Sequence, residues 1–150
     1  MAIYQRPDDI QEKLGVETEG DIRNLVFAAF GKDAKSSTKS EDLYEGTDLY
    51  VLGVRVDFTT AFESKDHMVE IPETMNLGLS TIRFGVRTGN DYHDFDEPVL
   101  VVCIDAGNNH MLKYMYQNIL DEFKQNVRRI FEKGMDLYWD CVDNLVAQTA

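Results

Sequence analysis

Two aspartates in the stretch EGTDLYVLGVRVDFT, residues 45–59, are the side chains of this sequence whose spacing most directly suggests joint chemistry. Two short apolar runs meet at Leu52-Gly53, which predicts a β-hairpin over 48–60. Strand alternation puts Leu49, Val51, Val54, Val56 and Phe58 on one face. The other face then carries Asp48, Tyr50, Arg55, Asp57 and Thr59. With the turn centred on Leu52-Gly53, paired residue numbers sum to 105, so Asp48 faces Asp57 and Tyr50 faces Arg55. Opposed side chains have Cβ atoms about 4.5–5.5 Å apart, and like charges at that distance repel. A cation must therefore sit beside the pair. Arg55 is one source. A hard divalent ion such as Mg²⁺ is the other, and its bound water can act as a nucleophile.

The elements that must position this pair read as follows. Pro7 to Gly15 has the proline start and glycine stop of a short helix. Thr18 caps a second, with Asp21 three residues on, and Ile22, Leu25, Val26, Ala29 and Phe30 give it one apolar face before Gly31 ends it. Residues 32–46 are polar and predict a surface loop, and 61–79 predict an irregular excursion. Strands follow at 80–90 and 99–106; between them, 91–98 predicts an acidic loop. The run VLVVCIDA is apolar without alternation, as in a strand covered on both faces. Asn108 or Asn109 starts a final helix to about 146, with Leu112, Met115, Ile119, Phe123, Val127 and Ile130 on its apolar stripe and Gly134 as a break or kink. The expected architecture is one α+β domain over 1–150: a small mixed four-stranded sheet packed by an N-terminal amphipathic helix and a long C-terminal helix.

The pattern GTD-x(8)-D-x-T, followed by Lys65, resembles the active-site hairpin of the PD-(D/E)XK, or restriction-endonuclease-like, nuclease superfamily. The resemblance spans roughly residues 17–106. It implies a Mg²⁺- or Mn²⁺-dependent nuclease hydrolysing phosphodiester bonds, in a protein of phage or mobile-element type. It further implies Asp48 and Asp57 as metal ligands and an acid from the first core helix as a third, with Glu19 the candidate and Glu17 and Asp21 its neighbours. Thr59 stands where the superfamily has lysine, and Lys65 is the candidate replacement. No helix is expected between the third and fourth strands, another departure. A descendant that keeps the fold without the chemistry is the alternative. Lys32, Lys35, Lys39, Arg83 and Arg87 would be the contacts to a DNA backbone.

Composition points to a second reading. The chain is 43% hydrophobic, enough for one core. It carries 27 acidic and 15 basic residues, a formal charge of −12. Such a field repels nucleic acid at long range and suits a protein that binds a basic nucleic-acid-binding partner, as an inhibitor would. The expected location is cytoplasmic: no signal-peptide pattern opens the chain, no run approaches the length needed to span a bilayer, and Cys103 and Cys141 read as reduced, buried thiols. Asp91, His93, Asp94, Asp96 and Glu97 could hold a metal but read first as a solvated loop, and His67 and His110 as isolated surface or capping residues. The aromatics Tyr114, Tyr116, Phe123, Phe131, Tyr138 and Trp139 read as core, or as a homodimer face on the last helix.

Overall fold

The computed structural model describes residues 20–38, 46–60, 62, 66–107 and 115–149. The expected helix over 7–15, the Thr18 cap, Glu17, Glu19, Lys39, Lys65, His110, Leu112, Tyr114 and the caps at Asn108 and Asn109 lie outside them. The element order is helix α1 (20–30), a 3-10 turn at Gly31–Asp33, strands β1 (Ala34–Ser36), β2 (Leu49–Val51), β3 (Val54–Thr59), β4 (Met68–Asn76), β5 (Thr81–Gly89) and β6 (Asp94–Asp105), and helix α2 (Tyr116–Thr149).

The α+β class agrees with the sequence, but the sheet has six strands, not four, in the order β1-β2-β3-β6-β5-β4. Both additional strands lie at edges, where alternation is weakest. β1 has three residues and pairs Ala34 with Val51 and Ser36 with Leu49, inside a segment too polar to read as a strand. β4 buries only Ile71 and contains Pro72, and its register with β5 shifts between Ile71 and Thr74. Proline lacks the N–H a ladder needs, so it is tolerated at an edge or a bulge, and here it finds both. The expected loop at 91–98 is also corrected: Gly89 pairs with Asp94, leaving a tight turn in which the Asn90 side chain accepts the N–H groups of Tyr92 and His93.

β3 and β6 are parallel neighbours at the centre. The chain passes between them by way of β4 and β5, each antiparallel to its neighbour, where a parallel pair ordinarily uses a helical crossover. β6 is buried on both faces from Val99 to Ile104, as its unbroken apolar run requires.

Both helices cover one face. Ile22 and Val26 of α1, and Ile119, Phe123, Val127, Ile130 and Phe131 of α2, form one core with Leu49, Val51, Val56, Phe58, Phe84, Leu100 and Val102. The opposite face has a smaller cluster, Phe62 with Val101 and Cys103, joined by Met68. Gly134 does not break α2, which runs unbroken from Tyr116 to Thr149. A Cβ there would lie 3.0 Å from Phe84 and 3.4 Å from Leu100, so the glycine lets the helix backbone lie close against the sheet. The aromatic stripe divides: Phe123, Phe131 and Tyr138 are core, while Trp139 is 53% exposed. Among the described residues, no helix is long and apolar enough to cross a membrane.

The hairpin turn carries a local strain that is removable. Leu52 has φ 51° and Gly53 φ 81°, so both central residues are left-handed, as a type I′ turn demands. Glycine tolerates this; leucine does not. Leu52 is 57% exposed, so little packing depends on it. Leu52→Asn is expected to raise stability by about 0.5–1 kcal/mol, read as a higher urea midpoint at unchanged slope. An unchanged or lower midpoint would show that the leucine side chain contributes more than its backbone costs.

Candidate functional site

The hairpin has the register expected from its sequence: Leu49 pairs with Val56, Tyr50 with Arg55, and Val51 with Val54. Regular pairing ends at Leu49. There the Asp48 N–H donates to the Val56 carbonyl at 2.9 Å, and the Asp48 side chain takes over the ladder. Its Oδ2 accepts the Phe58 N–H at 2.9 Å, while the Ser37 hydroxyl donates to the Asp48 carbonyl at 2.8 Å. These contacts fix the Asp48 carboxyl beside Asp57, with which it shares a hydrogen bond.

The two acids are buried, Asp48 8% and Asp57 6% exposed. Burial pushes the Asp48 carboxyl up to about 7. The Asp57 charge and the shared hydrogen bond act in the same sense, and the Phe58 N–H and Arg23 oppose them. A carboxylic acid that keeps its proton to neutrality next to a second acid is the signature of two like charges forced together.

The Arg55 guanidinium, the cation expected from the sequence, lies 3.6 Å from Glu97, 3.4 Å from the Thr47 hydroxyl and over the Tyr50 ring. A cation from α1 stands beside Asp48: Arg23 lies 3.5 Å from Asp48 Oδ1, with its side chain 38% exposed. Only its position one residue beyond the buried Ile22 hints at this in the sequence, and helical phase alone does not reveal which strand it meets. Thr59 lies two residues beyond Asp57 on the same face and is buried beside Cys103. Asp21 does not join the pair; its carboxylate accepts the Tyr116 hydroxyl.

The remaining basic residues lie elsewhere. Arg83 pairs with Glu70 and Asp105, and Arg87 with Asp66. Lys32 and Lys35 line a hollow of about 450 Å³ with Tyr50, Leu52 and Gly53, at the turn end of the hairpin and away from the aspartates. His67 is not isolated: its Nε2 lies 3.1 Å from Asp91, and with Asp66 the three offer ligand atoms within 4.8 Å of one another. All three are exposed, and Arg87 already occupies Asp66, holding its carboxyl below the ordinary value. His93 and Asp94, Asp96 and Glu97 do not join this group. Both cysteines are free thiols, Cys103 buried and Cys141 half-buried. Comparisons of the chain with protein-family models, with curated proteins and with solved structures find no significant match.

Proposed function

We propose that the protein is a divalent-metal-dependent phosphodiesterase of the restriction-endonuclease-like kind, acting on DNA at the Asp48–Asp57 pair. One observation carries this reading: two buried carboxyls in hydrogen-bonding contact at the end of a rigid hairpin, one of them held protonated up to about pH 7. Structural acids are ordinarily buried only when neutralised, and a strongly perturbed carboxyl pair is a mark of function. The donor set is all carboxylate oxygen, which fits Mg²⁺ or Mn²⁺ and not a soft metal.

Asp48 and Asp57 would hold the ion, which when bound supplies an acidified water and a positive charge on the phosphate. The chain's own contribution is rigidity. The Phe58 N–H and the Val56 carbonyl hold Asp48 from two sides, so its carboxyl does not turn away from Asp57. Burial keeps bulk water from the pair, so each charge acts through a medium less polar than water. Glu19 and Lys65 remain the candidates for a third ligand and for a further cation.

The test is calorimetric titration of Mn²⁺ at pH 8 with wild type, Asp48→Asn and Asp57→Asn, paired with cleavage of supercoiled DNA. Wild type is expected to bind Mn²⁺, with each variant weaker by about a hundredfold or more and inactive. No binding heat, an unmoved melting temperature and intact DNA with Mg²⁺ and Mn²⁺ would end this reading. The formal charge of −12 would then favour the basic-partner reading, whose mark is binding that weakens steeply with salt.

A further inference from the structure

Helix α1 covers one flank of α2 for only part of its length. The last turn of α1 lies against Arg128 and Phe131. The Arg128 guanidinium donates to the Ala29 carbonyl at 2.6 Å and sits over the Phe30 ring, and Phe30 meets Phe131 edge-on with centroids 5.4 Å apart. After Phe30 the chain leaves through the 3-10 turn into β1, while α2 runs on to Thr149.

An α-helix repeats about every 3.6 residues, so the flank that meets α1 at Arg128 comes round again at Met135, Trp139, Val142 and Val146. All four are apolar. Their spacing of four, three and four residues is that of a seam that receives a second helix. Met135 is buried and Val142 half-buried, but Trp139 is 53% and Val146 62% exposed. The Trp139 ring is set edge-on against Tyr138, with centroids 5.0 Å apart, and the Tyr138 hydroxyl donates to the Pro98 carbonyl at 2.8 Å. A tryptophan held in this way offers a large contact area at little further cost in ordering.

Charge says which kind of helix fits the seam. Residues three and four apart are neighbours on a helix surface. Trp139 therefore has Met135 and Val142 on one side and Asp136 and Asp143 on the other, and Asp143 also borders Val146. Between residues 132 and 146 the exposed charged side chains are Glu132, Asp136, Asp140 and Asp143, all acidic; Lys133 is half-buried. Two copies of this face would set like charges against each other, whereas a basic helix would complement them.

We propose that the end of α2 beyond α1 docks a basic amphipathic helix of a partner protein. The apolar stripe of that helix lies over Trp139 and Val146, and its lysines or arginines face Asp136 and Asp143. This is recognition of a helix by an apolar groove with a charged rim, with the incoming helix placed on the flank of α2 that α1 covers further back. It is independent of the aspartate pair and of any metal there.

The probe is a synthetic helix of about 18 residues with leucine on one face and lysine on the other; its control carries glutamate for every lysine. Affinity is read by anisotropy of the fluorescein-labelled peptide, and contact by the emission of Trp139, the chain's one tryptophan, with unlabelled peptide. Wild type is expected to bind the lysine peptide with emission moved to shorter wavelength and with affinity that falls as salt rises, and not to bind the glutamate peptide. Asp136→Lys combined with Asp143→Lys should weaken binding about tenfold or more, and so should Trp139→Ala. Glu73→Lys combined with Asp121→Lys makes the same change of charge at exposed positions away from the seam, and should stay within about twofold of wild type. Circular dichroism checks that each variant is folded. Equal weakening by the two charge-reversed pairs would overturn the proposal, since binding would then follow the formal charge of −12 and no particular face. So would binding that leaves Trp139 emission unmoved, equal binding of the glutamate peptide, or no binding of the lysine peptide at all. Sedimentation showing a dimer that buries Trp139 would make a second copy the occupant, and would overturn it as well.

Discussion

Asp48→Asn is expected to be more stable than the wild-type protein at pH 8 in the absence of metal, and no more stable at pH 4. The sign follows from linkage. Asp48 has an ordinary carboxyl value of 3.8 and is raised to about 7 in the fold, chiefly by burial and then by Asp57. Below about pH 4 both folded and unfolded chains hold the proton. As pH rises toward 7 the unfolded chain releases it while the fold retains it, so stability falls through this window. Above pH 7 the loss is complete and constant. One pKa unit corresponds to about 1.4 kcal/mol, so the total is on the order of a few kcal/mol. Asparagine removes the charge and keeps the geometry: its oxygen can accept the Phe58 N–H, and its amide can donate to Asp57. What it loses is one long contact to a half-exposed arginine, worth little. A kcal/mol moves the melting temperature of a protein this size by about 2–4 °C. Melting of both proteins in EDTA at pH 4 and pH 8 should therefore give a gap of several degrees at the higher pH alone. An Asp48→Asn protein less stable at pH 8 would mean that the carboxylate is held by attractions outweighing its burial, and would remove the strain on which the functional reading depends. A variant that is more stable yet blind to Mn²⁺ would be the pattern of a site that trades stability for chemistry.

The same hairpin marks how far sequence reasoning reaches. Its register, its turn at Leu52-Gly53 and the nearness of Asp48 to Asp57 were legible because strand alternation has period two and the turn fixes the phase. The apolar faces of α1 and α2 and the doubly covered β6 were legible for the same kind of reason. Edge strands were not. β1 is three residues in a polar stretch, and β4 has one buried side chain and a proline, so neither has a pattern to read. Gly134 misled because a glycine inside a helix signals a break unless its neighbour in space is known, and Phe84 lies fifty residues away in sequence. The cation beside Asp48 was out of reach for that reason too. Arg55 is the sequence neighbour on the same face and meets Glu97, brought near by the parallel pairing of β3 with β6, while Arg23 reaches Asp48 from α1. Pairing of separated strands and helix placement are decided by the whole chain, and no local window contains them.

Phe131→Ala is the second large effect, and it tests whether α1 and the hairpin are held as one unit. The ring is 1% exposed and meets two others edge-on: Phe30 at the end of α1, with centroids 5.4 Å apart, and Phe58 of β3, 6.2 Å apart. Truncating a buried phenylalanine removes its transfer energy and leaves a cavity, at a cost of about 3–5 kcal/mol. Phe123→Ala, fully buried about two helical turns earlier on α2, should lose a similar amount. Stability alone does not separate the two. Position does, because the backbone N–H of Phe58 is the group that holds the Asp48 carboxyl, and Arg23 reaches Asp48 from the helix that ends in Phe30. Loss of the Phe131 ring loosens both contacts at once. Phe131→Ala should therefore speed hydrogen exchange at the Phe58 amide and weaken Mn²⁺ binding at temperatures where the protein is still folded. Phe123→Ala should leave both near wild type. The one tryptophan, Trp139, stacks edge-on against Tyr138 on the same helix and gives a fluorescence signal for α2 in each variant. Equal effects of the two truncations on the Phe58 amide would mean that the site is held by the hairpin alone. In that case α1 would contribute the Arg23 charge to the aspartate pair, but not the geometry in which the two acids are held.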